Sequence, residues 1–179
     1  MDPVLPEVPE RTTRLTFRRW QESDAPLILD MYSRREVYRF LGSVPMPVHD
    51  LNEALARVQA RNARTHGLDG IWAIVRVDDN AVIGTVLLVP LTRTDGEASD
   101  VYEIGWHLHP DAWGCGYATV AAGAVIARAR DGGLAEVRAV VFIDNAASHA
   151  VCRRLGMEQV GLTSEWYNAE LVEYRLALG

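Results

Sequence analysis

The chain contains no lysine: all 18 of its basic residues are arginine. A side-chain amine is therefore unavailable, which excludes enzymes that form a Schiff base through lysine, including those that use pyridoxal phosphate. The same absence excludes nucleotide triphosphatases that need a phosphate-loop lysine and kinases that need a strand lysine. Any catalysis by this chain must use other groups.

Cysteine is almost as scarce, with only Cys115 and Cys152 in 179 residues. Their separation rules out a C-x-x-C pair, so the sequence contains neither a zinc ribbon nor a disulfide framework. The N-terminus carries acids and prolines in place of a signal peptide's basic and apolar regions, and no stretch approaches the roughly 20 apolar residues of a membrane span. These observations predict a protein of the reducing cytoplasm without a membrane partner.

Basic residues are also fewer than acidic ones, 18 against 24, which gives a net charge of −6. An acidic chain is poorly suited to nonspecific binding of nucleic acid or anionic lipid and better suited to a cationic partner. The length and the 49% hydrophobic content are those of one globular domain. We expect a flexible arm over residues 1–10 and one domain over residues 11–179, with homodimerisation left open.

Hydrophobic periodicity predicts a mixed α/β domain with the element order β-α-α-β-β-β-α-β-α-β-β. The predicted helices follow Asp24 and Asp50 and cover residues 117–130 and 145–155, and a proline-containing loop covers residues 43–48. The predicted strands cover residues 14–20, 71–77, 81–91, 101–109, 135–143, 158–162 and 171–178. The strand at 135–143 is almost continuously apolar, which is typical of a strand buried on both faces.

A glycine-rich turn, Trp113-Gly114-Cys115-Gly116, lies between a predicted strand and the long helix that begins near Tyr117. Glycine lets the backbone approach a ligand closely, and the free N–H groups of a first helical turn bind phosphate or pyrophosphate. A tight turn without a ligand is the simplest alternative. A dinucleotide-binding fold is the other, but Thr119 stands where its third glycine is needed.

The run Gly114–Thr119, with Glu103–Trp106 in the strand before it, resembles the acetyl-CoA motif of the GNAT N-acetyltransferases. The segments Asn145–Ser148 and Arg154–Met157 resemble the later motifs of that family, and the order of elements matches over residues 11–178. The resemblance implies a single-domain GNAT-like fold with a mixed, mostly antiparallel central sheet flanked by helices.

The first strand, RLTFRRW, and the segment Val37–Leu41 further resemble the branch that includes ribosomal-protein alanine N-acetyltransferases. The resemblance implies direct transfer of an acetyl group from acetyl-CoA to a primary amine of a protein N-terminus or a small molecule, within a ternary complex. The alternative is a non-catalytic acyl-CoA sensor on the same fold. The implied coenzyme A site comprises Trp106, His107, Leu108, Trp113, Gly114, Cys115, Gly116, Tyr117, Ala118, Thr119, Asn145 and Ser148.

Acetyl transfer to an amine needs a proton acceptor and a hydrogen-bond donor for the tetrahedral oxyanion. Glu103 matches the family's frequent base position, although a solvated strand carboxylate would give the same pattern. The resemblance implies that a backbone N–H near Trp106–Leu108 binds the oxyanion, and that Asn145 orders coenzyme A or the strand end.

Two positions depart from the family pattern. Trp113 stands where the superfamily loop usually begins with Gln or Arg, and Cys152 stands where many members carry a tyrosine acid. Ser148 and Cys152 are the candidate proton donors to the departing thiolate, since they lie one helical turn apart. Ser148 is preferred because the N-x-x-S pattern is intact, whereas a cysteine can pack as a small apolar residue.

Two further patterns have weaker functional interpretations. His107 and His109 are two residues apart on one predicted strand, a spacing that can hold a metal, but no third ligand is evident. No metal site is predicted, and a role in the strand or the substrate wall is favoured. Cys115 is placed at a helix N-terminus, which stabilises a thiolate, but a covalent acetyl-cysteine route is disfavoured because no His–acid partner accompanies it.

Overall fold

The computed structural model describes residues 6–42 and 46–179, which contain seven strands and five helices. The helices are α1 (Ala25–Ser33), α2 (Arg35–Tyr38), α3 (Leu51–Ala63), α4 (Tyr117–Asp131) and α5 (Ala146–Arg154), and short 3-10 turns span Glu22–Asp24 and Pro110–Ala112. The strands are β1 (Leu15–Arg18), β2 (Gly70–Arg76), β3 (Val82–Thr92), β4 (Ala98–Leu108), β5 (Glu136–Phe142), β6 (Glu158–Thr163) and β7 (Leu171–Ala177). Within these residues no helix is long and apolar enough to cross a bilayer.

The strands form one sheet in the order β1-β2-β3-β4-β5-β7-β6. Only β4 and β5 run parallel, and the other neighbouring strands are antiparallel. The predicted α/β fold with a mixed, mostly antiparallel sheet is therefore confirmed. The predicted element order also holds, apart from α2, whose single turn is too short to show a helical period.

Helices cover both faces of the sheet. Trp72 and Ala73 are adjacent in β2 and point to opposite faces, because side chains alternate along a strand. Trp72 is buried in the same cluster as Val125 of α4, whereas Ala73 is buried with Ile28 of α1 and Val58 of α3. The face under α4 and the face under α1 and α3 thus form two separate cores.

Side-chain caps fix where the helices begin. Asp50 precedes α3 and its Oδ1 accepts a hydrogen bond from the Glu53 N–H at 2.9 Å, as the capping pattern predicts. Asn145 caps α5 in the same way, with 3.1 Å between its Oδ1 and the Ser148 nitrogen. Pro26 lies in the first turn of α1, where its missing N–H has no intrahelical partner to lose.

The expectation that the strand at 135–143 is buried on both faces is wrong. Val137, Ala139 and Val141 are buried, whereas the residues between them are only half-buried. The inward face packs in the cluster that includes α4. The other face carries Arg138, which pairs with Glu173, and its apolar residues Val140 and Phe142 pack only half-buried at the edge of a further cluster.

The residues that the sequence assigns to a flexible arm fall into two groups. Residues 6–10 contact the core, since the Pro6 carbonyl accepts a hydrogen bond from Arg128 at 2.6 Å and the Glu7 carbonyl accepts one from Trp72 at 3.3 Å. Residues 1–5 lie outside the described residues, as do residues 43–45 of the predicted loop at 43–48.

The two parallel strands part soon after they meet. β4 and β5 pair at one position, Glu103 with Arg138. Beyond that pair, residues 104–108 of β4 and 139–142 of β5 line a cavity in place of a hydrogen-bonded ladder. The fold therefore opens the middle of its own sheet, and the predicted site lies at this opening.

Candidate active site

A cavity of about 1130 Å³ occupies the gap between β4 and β5. One part is lined by the glycine-rich turn and the N-termini of α4 and α5, and the other by α1, α2 and α3. The predicted site residues that line it are Glu103, Trp106, His107, Leu108, Trp113, Gly114, Cys115, Gly116, Tyr117, Ala118, Thr119, Asn145 and Ser148. The sequence pattern thus brings together every predicted site residue except Cys152.

The glycine-rich turn depends on backbone conformations that favour glycine. Gly114 and Gly116 have φ angles of +74° and +78°, in the left-handed region. A Cβ at Gly114 would meet no atom within 4 Å, and one at Gly116 would meet only the Arg14 side chain at 3.8 Å. The space beside both glycines is open to a ligand.

Two side chains hold this turn against the sheet. Arg14 of the segment before β1 donates to the Cys115 carbonyl at 3.0 Å, and its guanidinium lies 4.4 Å from the centre of the Tyr117 ring. The Trp113 indole donates to the Leu108 carbonyl at 2.9 Å. Trp113 therefore ties the turn to the end of β4, which gives a structural role to the residue that departs from the family pattern.

The N-terminus of α4 presents unsatisfied donors to the cavity. The first N–H groups of a helix have no intrahelical partner. In the first turn, the Oγ1 of Thr119 is buried and has no hydrogen-bond partner among the described residues. These donors and the open space beside the glycines fit a phosphate-bearing ligand such as coenzyme A.

The backbone of β4 offers a second set of donors. The His109 N–H donates to the Ile83 carbonyl of β3 at 2.9 Å. Because N–H directions alternate along a strand, the His107 N–H also faces β3, while those of Trp106 and Leu108 face the opening beside β5. Of the three predicted residues, Trp106 and Leu108 therefore supply backbone donors, and His107 contributes through its side chain.

His107 is held as a neutral imidazole. Its Nδ1 lies 3.3 Å from the Tyr32 hydroxyl, which also lies 2.9 Å from the Thr85 hydroxyl. Burial, together with the smaller effect of the Arg61 and Arg57 charges, lowers the pKa of His107 to about 3. At neutral pH the ring is therefore an uncharged part of the cavity wall.

His109 has different partners from His107. Its Nε2 lies 3.0 Å from an Asp30 carboxylate oxygen, and its Nδ1 accepts from the Asp111 N–H at 3.2 Å. The described residues contain no group of three or more His, Cys, Asp or Glu side chains placed to hold a metal ion.

Glu103 is paired with a residue that the sequence analysis missed. Its Oε2 accepts a hydrogen bond from the hydroxyl of Tyr167, in the connection between β6 and β7. Burial raises the pKa of Glu103 to about 7, against the opposing effects of the Tyr167 hydrogen bond and the Arg64 charge. The carboxyl is therefore poised to exchange a proton near neutral pH.

The backbone fixes where Tyr167 stands. Tyr167 and Asn168 have φ angles of +54° and +53°, and their N–H groups donate to Thr92 and Thr94 at 3.1 Å each. Trp166 beside them is buried. No local pattern links residue 167 to residue 103, which is 64 positions away, so sequence periodicity had no signal for this contact.

The two candidate proton donors lie in different surroundings. Ser148 is half-buried and lines the cavity. Cys152 is fully buried in the core cluster that includes α4, and burial raises the pKa of its thiol to about 12. The structure therefore places Cys152 as a packing residue and does not bring its thiol to the cavity, although the sequence spacing had put it beside Ser148.

Comparison with known proteins identifies relatives over most of the chain. Residues 14–158 match the model of a family described as the acetyltransferase (GNAT) domain. The uncharacterized N-acetyltransferase YoaA of Bacillus subtilis (strain 168) is 30% identical over 168 residues, which cover 93% of this chain and 89% of YoaA.

Solved structures have the same fold. An acetyltransferase from Agrobacterium tumefaciens strain C58 superposes with a TM-score of 0.73 at 26% identity, over 94% of this chain and 93% of that one. RimL, a ribosomal L7/L12 alpha-N-protein acetyltransferase in complex with coenzyme A, superposes with a TM-score of 0.74 at 19% identity, over 99% and 97%.

The turn geometry predicts that Gly116→Val weakens coenzyme A binding by about tenfold or more, since a valine strains a positive φ and fills the open space. Gly133→Val is the matched control, because Gly133 has a φ of +80°, has open space around its Cβ and lies just beyond α4, outside the cavity lining. Calorimetric titration with coenzyme A and thermal unfolding should show similar losses of stability in both variants, with loss of affinity in Gly116→Val alone. Equal affinities in the two folded variants would refute the assignment of the turn.

Proposed function

The chain belongs to the GNAT acetyltransferase family, and from this premise we propose that it transfers the acetyl group of acetyl-CoA directly to a primary amine in a ternary complex. The proposal rests on one observation: the Gly114–Thr119 turn and Glu103 line the same cavity, at the opening between β4 and β5. This arrangement would bring a bound ligand and a proton acceptor into the same cavity.

The residues of the turn fit coenzyme A. The open space beside Gly114 and Gly116 admits a pyrophosphate, and the first turn of α4 with the unpartnered Thr119 hydroxyl supplies donors to it. Acetyl-CoA would supply an acetyl group activated as a thioester. Asn145, as the cap of α5, orders the second helix terminus that lines the cavity.

Glu103 would act as the proton acceptor. An amine attacks only when its nitrogen lone pair is free, so a base must take a proton from it before or during attack. With a pKa near 7, a large fraction of Glu103 is deprotonated at neutral pH and able to accept that proton. Tyr167, whose hydroxyl donates to Oε2, would fix the orientation of the carboxylate.

The N–H groups of Trp106 and Leu108 would donate to the acetyl carbonyl oxygen. That oxygen gains negative charge as the amine attacks, and fixed donors stabilise it most at this point. Both groups face the opening because N–H directions alternate along β4, and no strand competes for them since β4 has no ladder partner there. Ser148 is the proposed proton donor to the departing thiolate, because it lines the cavity.

The acceptor would be the amine of a protein N-terminus or of a small molecule. A panel of peptides and amines assayed with acetyl-CoA, with thiol release and the mass of the acetylated product as readouts, tests the proposal. An acetylated amine is the expected result. Tight binding of coenzyme A with no turnover on any amine would instead favour a non-catalytic acyl-CoA sensor.

The first mechanistic prediction concerns Glu103. Because the deprotonated carboxylate is the active form, kcat/KM should rise with pH through about 7 and then level off. Glu103→Gln should lower kcat/KM at pH 7 by roughly 100-fold, with partial recovery at high pH where free amine accumulates. Tyr167→Phe removes a hydrogen bond that lowers the Glu103 pKa, so the acid limb should move to higher pH.

The control is Tyr102→Phe, since the Tyr102 hydroxyl binds Asp69 and is not part of the Glu103 pair. It should leave the midpoint of the acid limb in place. A pH–rate profile that is the same in wild type and Glu103→Gln would reduce Glu103 to a structural residue.

The second mechanistic prediction separates Ser148 from Cys152. Ser148→Ala should lower kcat by about tenfold or more with little change in coenzyme A affinity, because it removes the donor at the thiolate. Cys152→Ala should lower thermal stability through loss of packing while leaving kcat nearly unchanged. Rapid-mixing measurement of a single turnover, beside the unfolding temperature, tests both. A slower single turnover in Cys152→Ala than in Ser148→Ala would reverse the assignment.

A further inference from the structure

We propose that the acceptor carries an anionic oxygen group close to its amine, in the first place a carboxylate, and that Arg57 and Arg61 bind this group. The inference rests on the proposed function and adds the chemical class of the acceptor. Two cations in the wall of the cavity, Arg57 and Arg61, form no ion pair with any carboxylate of the described residues.

Arg57 and Arg61 lie one turn apart in α3 and both line the cavity. Their guanidinium carbons stand 5.5 Å and 4.7 Å from the centre of the Tyr32 ring. The Tyr32 hydroxyl lies 3.3 Å from the His107 Nδ1, and His107 is on the same face of β4 as Glu103. The two cations therefore lie beside His107, which is between the proposed donors Trp106 and Leu108 and four residues along β4 from the proposed base.

Neither guanidinium forms an ion pair within residues 6–42 and 46–179. Arg57 donates to the Met46 carbonyl at 2.9 Å, and Glu53, one turn before it, accepts instead from the His49 N–H. The Nη1 of Arg61 is buried without a hydrogen-bond partner among these residues.

Leaving two half-buried cations without an anion is costly unless other acceptors satisfy them, as three backbone carbonyls do for the buried Arg128. Buried Asp24 pairs with Arg18 at 2.7 Å, and buried Glu173 pairs with Arg138. Burial lowers the pKa of Arg57, and repulsion by the Arg61 charge adds to this effect, against the opposing charge of Glu53. An anionic ligand that binds between them would relieve both costs.

The other charged groups along this part of the wall leave the pair available. Arg39 lies 4.0 Å from Asp144, and Glu103 is bound by Tyr167, while Glu36 is exposed at the rim. His107 is neutral, so it adds no positive charge. The cavity thus contains a carboxyl group at Glu103 and two cations beside His107, a charge pattern that suits an acceptor with both an amine and a carboxylate.

A free amino acid and a peptide whose first residue has an acidic side chain would both offer this chemistry. The acceptor panel therefore contains several L-amino acids, their α-carboxamides and the amines that lack the carboxyl group, together with peptides that begin with Asp or Asn. The inference predicts a higher kcat/KM for the acids than for their amides by about tenfold or more, as expected for a charge-assisted pair. A preference for acid over amide among the free amino acids would identify the α-carboxylate as the bound group. A preference for Asp over Asn among the peptides would identify an acidic side chain.

The amines of this panel differ in basicity, which by itself changes kcat/KM. Comparing each acceptor between the wild type and a variant of Arg57 removes this difference. Arg57→Gln should lower kcat/KM about tenfold or more for the carboxylate acceptor and much less for its amide. Arg57→Lys should retain most of the preference. Arg11→Gln is the matched control, because Arg11 is exposed and outside the cavity lining, and it should leave the preference unchanged.

A binding measurement keeps the inference separate from turnover. The des-amino acid, which has the carboxylate but no amine, should raise the unfolding temperature of the coenzyme A complex in wild type and not in Arg57→Gln. Transfer to amines with no preference for carboxylates, and no such stabilisation, would overturn the inference alone. Failure of every amine to react would overturn the proposed function, and a carboxylate effect that depends on Arg57 would then still support the binding site.

Discussion

The parting of β4 from β5 is the constraint on which the rest of the structure depends. A parallel pair that meets at Glu103 and Arg138 and then separates leaves backbone donors of β4 without a ladder partner. In an ordinary sheet such an opening would be costly, because buried N–H groups would lose their hydrogen bonds. Here the same groups of Trp106 and Leu108 face an open cavity, where they are accessible to solvent or to a ligand.

The two faces of β4 also carry side chains that contribute to different parts of the cavity and its surroundings. Ile104 and Leu108 point into the core under α4, which positions the glycine turn that Trp113 fastens to the end of β4. Glu103 and His107 point to the other face, where α1 and α3 bring Tyr32 and the arginines. Since side chains alternate along β4, this strand separates the part of the cavity proposed to bind coenzyme A from the part proposed to bind the acceptor.

The sequence predicted those features whose physical cause lies within a short segment of the chain. Glycines before a helix, the capping pattern at Asp50 and the alternation of β4 predicted local elements of the fold and part of the cavity wall. The pairing of Tyr167 with Glu103 and the arginines on α3 were not visible, since they join segments far apart in the chain. Cys152 was misplaced because spacing gives the helix face but not its depth in the core. The cytoplasmic location and homodimerisation stay predictions.

Net charge was the least informative quantity, and the structure shows why. An overall charge of −6 suggested a cationic partner, but the cavity wall contains four arginines, at 39, 57, 61 and 154, against three acids, at 36, 103 and 144. Interactions between exposed charges are screened beyond about 8–10 Å, so a ligand inside the cavity responds to these groups and little to the acidic exterior. The acidic surface and the locally basic wall are therefore compatible. The electrostatic field on a ligand in the cavity comes mainly from the few charged residues that line the cavity.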